Sequence, residues 1–261
     1  MKIGFLQYRP LFGEKQANFE KVMMLTGGMH ADLIVLPELF ATGYAFVSAD
    51  EVDHLSEGPG EETSRFAMEL AGMTGGAVVA GFIERDYGRF YNSAMLATSG
   101  GIESVYRKIH LFNREKTWFT PGNRPPQVHS LSGIKIGIMI CFDWIFPEIC
   151  RKLALDGAQI VAHPSNLVLP WAQKAMLTRS LENRIFSVTA NRIGRETRGE
   201  DDFHFTGQSQ VAGTRGEILA SAGEDEECLR IAEIDPEKAI DKSVNSFNDL
   251  FLDRRPEFYG T

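Results

Sequence analysis

Ile134-Lys135-Ile136-Gly137-Ile138-Met139-Ile140-Cys141-Phe142-Asp143-Trp144 is the stretch on which the reading turns. Isoleucines at 134, 136, 138 and 140 recur with period two, the mark of a strand with one strongly apolar face. Cys141 falls in the other phase, beside Gly137 and Met139, where the alternation stops. Pro147 then suits the first turn of a helix. Phe146, Ile149, Cys150, Leu153 and Ala154 follow as an apolar stripe at helical spacing. A cysteine at a strand end, ahead of a loop and a helix, is where an α/β protein places a nucleophile. The competing reading is a small buried core residue, and Cys150, inside the helical stripe, is read that way.

Outward from this stretch, strands and helices alternate. Residues 2–7 read as a strand, and 14–26 as a helix with Phe19, Val22 and Met23 on one face. Residues 32–37 form a continuous apolar run, as in a strand covered on both faces. A helix over 61–73 stacks Phe66, Leu70 and Met73. Strands are expected at 77–83, 91–97, 102–107, 159–163 and 187–191, with a helix at 171–186. Segments 207–212 and 217–221 flank the turn Gly213-Thr214-Arg215-Gly216 as a hairpin. Cys228 opens a strand at 228–234, and Asp235-Pro236 reads as the cap and first position of a short helix. The alternation predicts an α/β protein with mixed sheets covered by helices. Without repeats or a linker, residues 1–261 read as one domain. The tail 243–261 carries Phe247, Leu250, Phe251, Phe258 and Tyr259, which predicts packing on the body or on a second subunit.

The 261 residues carry a net charge of −8, with 43% hydrophobic and 24% charged residues. That balance argues against broad binding to nucleic acid or anionic membranes. No run approaches a membrane span, and the first residues read as a strand and not a signal peptide. Three widely spaced cysteines (141, 150 and 228) suit a reduced cytoplasm better than a disulfide framework.

Two further strand ends carry ionisable groups. Leu33-Ile34-Val35-Leu36-Pro37 terminates in Glu38, and Ile102-Glu103-Ser104-Val105-Tyr106-Arg107 terminates in Lys108. If the strands are neighbours, a carboxylate, an ammonium and a thiol converge on one rim. A thiol with a pKa of about 8.5 needs a base or a cation to attack. Glu38, expected to be half buried, can take the proton, and Lys108 can hold the oxyanion formed on the attacked carbon. Taken singly, Glu38 reads first as a strand-end surface acid and Lys108 as a solvated lysine.

Leu36-Pro37-Glu38, Tyr106-Arg107-Lys108-Ile109-His110-Leu111-Phe112 and Ile140-Cys141-Phe142-Asp143 with Pro147-Glu148 together resemble the nitrilase superfamily of carbon–nitrogen hydrolases. Phe119-Thr120-Pro121-Gly122, His163-Pro164-Ser165-Asn166, Arg179-Ser180-Leu181-Glu182-Asn183 and Asp253-Arg254-Arg255-Pro256-Glu257 extend the likeness nearly end to end. The resemblance implies a four-layer αββα sandwich with two mixed β-sheets, pairing through its helices into a homodimer or higher homo-oligomer. It implies catalysis without metal or cofactor: Glu38 as general base, Lys108 as oxyanion-stabilising lysine, Cys141 as nucleophile. The backbone N–H of Phe142 matches a second oxyanion donor, and Glu115 a supporting acid. The implied reaction passes through a thioester and releases ammonia or an amine, then a carboxylic acid. Cys141-Phe142-Asp143 tilts toward the amidase-like members over nitrilases, which commonly read Cys-Trp-Glu. A small amide is therefore the expected substrate, with a nitrile or an N-carbamoyl compound as alternatives. Tyr44, Trp144, Asn166 and Trp171 are candidate pocket residues from their places in loops after strands.

Other classes have weaker support. A Cys–His hydrolase or acyltransferase would use His110 or His163, both near strand ends. No H-E-x-x-H motif or close Cys/His pair suggests a metal. Gly207-Gln208-Ser209-Gln210-Val211 lacks the final glycine of a serine nucleophile elbow, and no phosphate-cradling loop is evident. A family member that keeps the fold without turnover is the non-enzymatic reading.

Overall fold

The computed structural model describes residues 1–259; residues 260–261, the end of the tail, lie outside the described residues. The first half runs β1 (Lys2–Gln7), α1 (Lys15–Thr26), β2 (Leu33–Val35), α2 (Ala49–Leu55), α3 (Glu62–Thr74), β3 (Ala77–Asp86), β4 (Arg89–Thr98), β5 (Gly101–Arg107) and α4 (Glu115–Trp118). The second runs β6 (Val128–Leu131), β7 (Ile134–Ile138), α5 (Pro147–Leu155), β8 (Ile160–Ser165), α6 (Ala172–Asn183), β9 (Phe186–Asn191), β10 (Ile193–Arg198), β11 (Asp201–Thr206), β12 (Gln210–Ala212), β13 (Ile218–Ser221) and β14 (Cys228–Glu233). Short 3-10 turns cover Cys141–Ile145, Pro236–Ala239 and Pro256–Phe258.

Two six-stranded sheets result, ordered β14-β1-β2-β3-β4-β5 and β13-β12-β9-β8-β7-β6. Each has three parallel strands at its centre, β1-β2-β3 and β7-β8-β9, with antiparallel strands outside them. Parallel neighbours need a crossover, and the helices between these strands supply it. Alternation along the strands divides the first sheet between two cores. Ile3, Phe5, Leu33, Val35, Ala77 and Val79 join the cluster shared with the second sheet. Leu6, Ile34, Leu36, Val78 and Ala80 pack on Phe19 and Val22 of α1 and Phe66 and Leu70 of α3. On β7 an ideal Cβ at Gly137 would meet the Leu153 side chain of α5 at 2.8 Å. The missing side chain lets the helix sit close, and Ile136 and Ile138 point the other way, toward the first sheet. Helix, sheet, sheet and helix thus stack in four layers, the α/β architecture expected from the sequence.

Differences from the sequence reading have local causes. The Cys141 strand stops at Ile138, because Cys141 itself has φ +40 and opens a 3-10 turn. Helix α6 ends at Asn183, where Arg184 takes the left-handed conformation at φ +48. Met73 is exposed, while Phe66 and Leu70 are buried as expected. Asp235 does cap the 3-10 turn that Pro236 begins, accepting from the Glu237 N–H. In the tail Phe251 packs on the body, with Lys242 and Arg151 over its ring. Phe247 and Leu252 remain 90% and 85% exposed.

Candidate active site

The C-terminal ends of parallel strands β2, β7 and β8 open on one rim, and the end of antiparallel β5 joins them. Glu38 follows β2 after Pro37. It is held where it is by a close backbone approach: an ideal Cβ on Gly81 of β3 would lie 2.6 Å from the Leu39 nitrogen. Leu39 itself sits at φ +48. Lys108 follows β5, and its N–H donates to the Asn92 carbonyl of β4 at 2.8 Å. Its own carbonyl accepts from the Gly122 N–H at 2.8 Å. A Cβ on Gly122 would run into the Arg107 carbonyl, which gives the Phe119-Thr120-Pro121-Gly122 motif a physical reason.

Glu38 and Lys108 are fully buried, unlike the surface acid and solvated lysine that single-residue reading allows. The Lys108 ammonium donates to Glu38 Oε1 at 2.7 Å and to Glu115 Oε1 at 2.7 Å. An ammonium has three N–H donors, so one remains for a further acceptor. Burial alone would strip the Lys108 proton, but Glu115 and Glu38 outweigh it and hold the amine charged. Asn92 Nδ2 also donates to Glu38 Oε1, at 2.7 Å, while Glu38 Oε2 is buried without a partner. Glu115 is fixed by donors from Tyr44 Oη at 2.7 Å and the Phe112 N–H at 3.1 Å. Burial and the nearby Glu38 push the Glu115 carboxyl up, against the pull of Lys108. Two carboxylates therefore share one ammonium in a dry pocket, where a proton gained by Glu115 relieves repulsion.

Cys141 lies within electrostatic reach of Glu38, Lys108 and Glu115, and the Asn166 main chain is near enough to its sulfur to pull the thiol down slightly. Burial first, then Glu38, push its thiol well above the ordinary range, so at rest it is a thiol and not a thiolate. The turn is anchored from behind. Asp143, fully buried, accepts from the Ile140 N–H at 2.9 Å, Tyr106 Oη at 2.8 Å and His110 Nδ1 at 2.8 Å. The His110 ring stacks on Phe146, centroids 3.7 Å apart. His163 Nε2 donates to the Cys141 carbonyl at 2.9 Å, and its Nδ1 meets Thr189 Oγ1 at 3.1 Å. Both histidines thus hold backbone or carboxylate and not the thiol, which removes the geometric basis of a Cys–His site. The Phe142 N–H lies in the first turn of the 3-10 segment, where amide groups lack partners within the turn.

A small recess beside Cys141 is lined by Phe112, Phe142, Trp144, Asn166, Leu167 and Leu169. Both polar atoms of the buried Asn166 carboxamide lack partners. Of the four expected pocket residues, Trp144 and Asn166 line this recess. Tyr44 lines a second one behind Glu115. Trp171 lies at the start of α6, 59% exposed, and lines neither.

This chemistry, on this fold, has counterparts. Residues 2–241 match the family described as carbon-nitrogen hydrolase. The chain belongs to that family. It is 44% identical over 263 residues to a Pyrococcus abyssi protein named nitrilase, covering 99% of each chain. The carbon-nitrogen hydrolase from Helicobacter pylori is similar over 100% of this chain and 97% of its own, with TM-score 0.86 and 28% identity. A mutant amidase from Nesterenkonia, solved after Michael addition of acrylamide at its active site cysteine, is similar over 100% and 98%, with TM-score 0.79 and 27% identity. The motif resemblance to the nitrilase superfamily is therefore membership, and the protein is an enzyme of the carbon–nitrogen hydrolase type.

Several residues that build this hydrolase's site escape a reading of strand ends. Asn92 sits mid-strand; its signal was an amide, poor in β propensity, inside the apolar run Phe90 to Leu96. Gly81 and Gly122 mark close approaches that sequence alone does not distinguish from other glycines.

Proposed function

We propose that this chain hydrolyses the C–N bond of a small amide through a thioester on Cys141. The observation that carries the reading is Glu38: one oxygen is spent on Lys108 and Asn92, and the other is buried without a partner on a carboxylate whose charge reaches the Cys141 thiol. Glu38 Oε2 takes the thiol proton as the sulfur attacks the carbonyl carbon, which suits a cysteine held neutral at rest. The oxyanion is met by the unspent Lys108 N–H and the Phe142 N–H. On collapse the C–N bond breaks, the proton passes from Glu38 to nitrogen, and ammonia or an amine leaves. Water then gives a proton to Glu38 and attacks the thioester, and the acid departs as the thiol regains its proton. Glu115 keeps Lys108 aimed. No step calls for a metal or cofactor.

The nitrilase name of the Pyrococcus abyssi relative favours a second reading, in which a nitrile reaches the same thioester after one hydration. Ammonia release over a panel of amides, nitriles and ureido acids separates these. The expected outcome is turnover of a neutral amide, with the acyl adduct on Cys141 seen by intact mass in the acid-quenched unsubstituted chain and absent in Glu38→Gln, which lacks the base for acylation. A Cys141 no more reactive than Cys150 and Cys228 would favour a non-catalytic member of the family.

Residues 1–261 are proposed to work as one domain in the cytoplasm. The three cysteines are free, and among the described residues no helix is long and apolar enough to cross a membrane. The exposed Phe247, Leu252 and Phe258 support a homodimer in which the tail packs on the partner. Light scattering of the full chain against one ending at residue 242 tests it.

A further inference from the structure

The hairpin β10–β11 forms a two-stranded sheet apart from the two main ones. Its most unusual feature is a buried ion pair, Arg192 Nη1 to Glu196 Oε1 at 2.5 Å, with both side chains almost fully enclosed. Neither group touches Glu38, Lys108 or Cys141. A buried pair of this kind seldom adds net stability over well-packed apolar residues, so its presence calls for another account.

The contacts of Glu196 supply one. Its Oε2 accepts from two successive amides, Tyr44 N at 3.0 Å and Ala45 N at 2.8 Å. Gly43, at φ +81, makes room: an ideal Cβ there would lie 2.9 Å from Glu196 Oε1. The Tyr44 ring is gripped from the same arm. Phe203 and Phe205 of β11 meet it edge-on at 5.4 and 6.0 Å. The Arg192 guanidinium lies 4.0 Å over the Phe205 ring. With backbone and ring both fixed, Tyr44 Oη points at Glu115 Oε1, the oxygen that also takes Lys108. Burial and the adjacent Glu115 push the Tyr44 hydroxyl well above its ordinary range, so it stays a donor.

We propose that Arg192 and Glu196 are positioning residues for Glu115, acting through Tyr44: the hairpin arm sets one hydroxyl whose hydrogen bond keeps Glu115 an anion aimed at Lys108. The inference rests on the Glu38–Lys108–Cys141 reading and adds to it a second support on a separate piece of sheet. The groups facing Glu115 are Lys108 after β5, Glu38 after β2, Cys141 after β7 and Tyr44 on its loop. Arg114 and Asp201 line the recess behind it. Of these, Tyr44 is the neutral donor whose loss removes support for the anion and no formal charge. Losing it makes the carboxylate harder to form, so the acid limb moves to higher pH.

The test is the pH profile of kcat/KM in the full chain, together with the pH dependence of Cys141 alkylation by iodoacetamide, read by intact mass without turnover. Tyr44→Phe is expected to move the acid limb up by about one unit, the worth of one hydrogen bond to a charged group. The pair Arg192→Met with Glu196→Gln, which removes both charges together, is expected to move it the same way. Adding Tyr44→Phe to that pair is then expected to give no further shift, because the relay is already cut. Should the pair fail to fold, Glu196→Asp keeps the charges and shortens the reach, and a partial shift is expected. A folded pair, or a folded Glu196→Asp, with the wild-type profile overturns the proposal, as do fully additive shifts. A wild-type protein that neither releases ammonia nor alkylates Cys141 ahead of Cys150 and Cys228 fails earlier, at the site itself, and takes the relay with it.

Discussion

The two sheets contribute opposite things to the pocket. From the first come Glu38 and Lys108, charged, dry and tied to each other and to Glu115. From the second come Cys141 and Asn166, uncharged, with the sulfur set by backbone conformation and by bonds to the main chain of Ile140 and of Cys141 itself. The first side pays an electrostatic cost that only its internal pairing offsets. The second carries no charge to offset, and its cost is the left-handed backbone of Cys141, of order 1–3 kcal/mol and matched on the first side at Leu39. Damage to the two sides should therefore look different.

The sharpest contrast is between Cys141→Ala and Lys108→Met. Cys141→Ala is expected to reduce kcat by about 10⁵-fold or more, as losing a nucleophile does elsewhere, with the melting temperature held. Lys108→Met is expected to cost activity and also about 3–5 kcal/mol of stability, because two carboxylates lose their shared ammonium. Urea melts alongside single-turnover rates check both. A Lys108→Met protein as stable as wild type would break the contrast.

The second side has its own stability signature in His163, on β8. Burial holds its imidazole down at about 4, against 6.5 in the ordinary range. Below 6.5 the unfolded chain binds a proton that the native state refuses. Stability is therefore lost as pH falls from 6.5 toward 4, by up to about 3 kcal/mol. His163→Gln is expected to flatten that window in melts at pH 7, 5 and 4.

The smallest effects compare two glycines. Gly122→Ala drives a Cβ into the Arg107 backbone and displaces Lys108, with an expected fall in kcat of about 10- to 100-fold. Gly137→Ala meets only the flexible end of Leu153, and is expected to lower stability slightly and leave kcat alone. Equal losses of kcat in the two variants would show that the sheets do not divide their work in this way.

How much of this was legible follows the same division. Strands such as β1, β3, β4 and β7 alternate or run apolar, so period and composition revealed them, and with them three strand ends bearing Glu38, Lys108 and Cys141. The hairpin β10–β11 reads Ile193-Gly-Arg-Glu-Thr-Arg198 and Asp201-Asp-Phe-His-Phe-Thr206. It pairs mainly with itself, so its polar residues satisfy each other and give little apolar period to detect. Helix α4 has only four residues, and β6 four; neither is long enough for a face to repeat. Burial of Glu38 and Lys108 was hidden for another reason: their enclosure comes from the loop cluster of Leu39, Tyr44, Phe46, Leu111 and Phe119, assembled from distant segments.

Because the thiol and its charged companions ride on separate sheets, turnover reports on the seam between them. A bulky-to-small change at Val188 or Val79, each buried in the core that both sheets share, would let the layers slide while every strand kept its ladder. Such a protein would look folded by its circular dichroism and yet be silent as a catalyst, its parts intact and out of register.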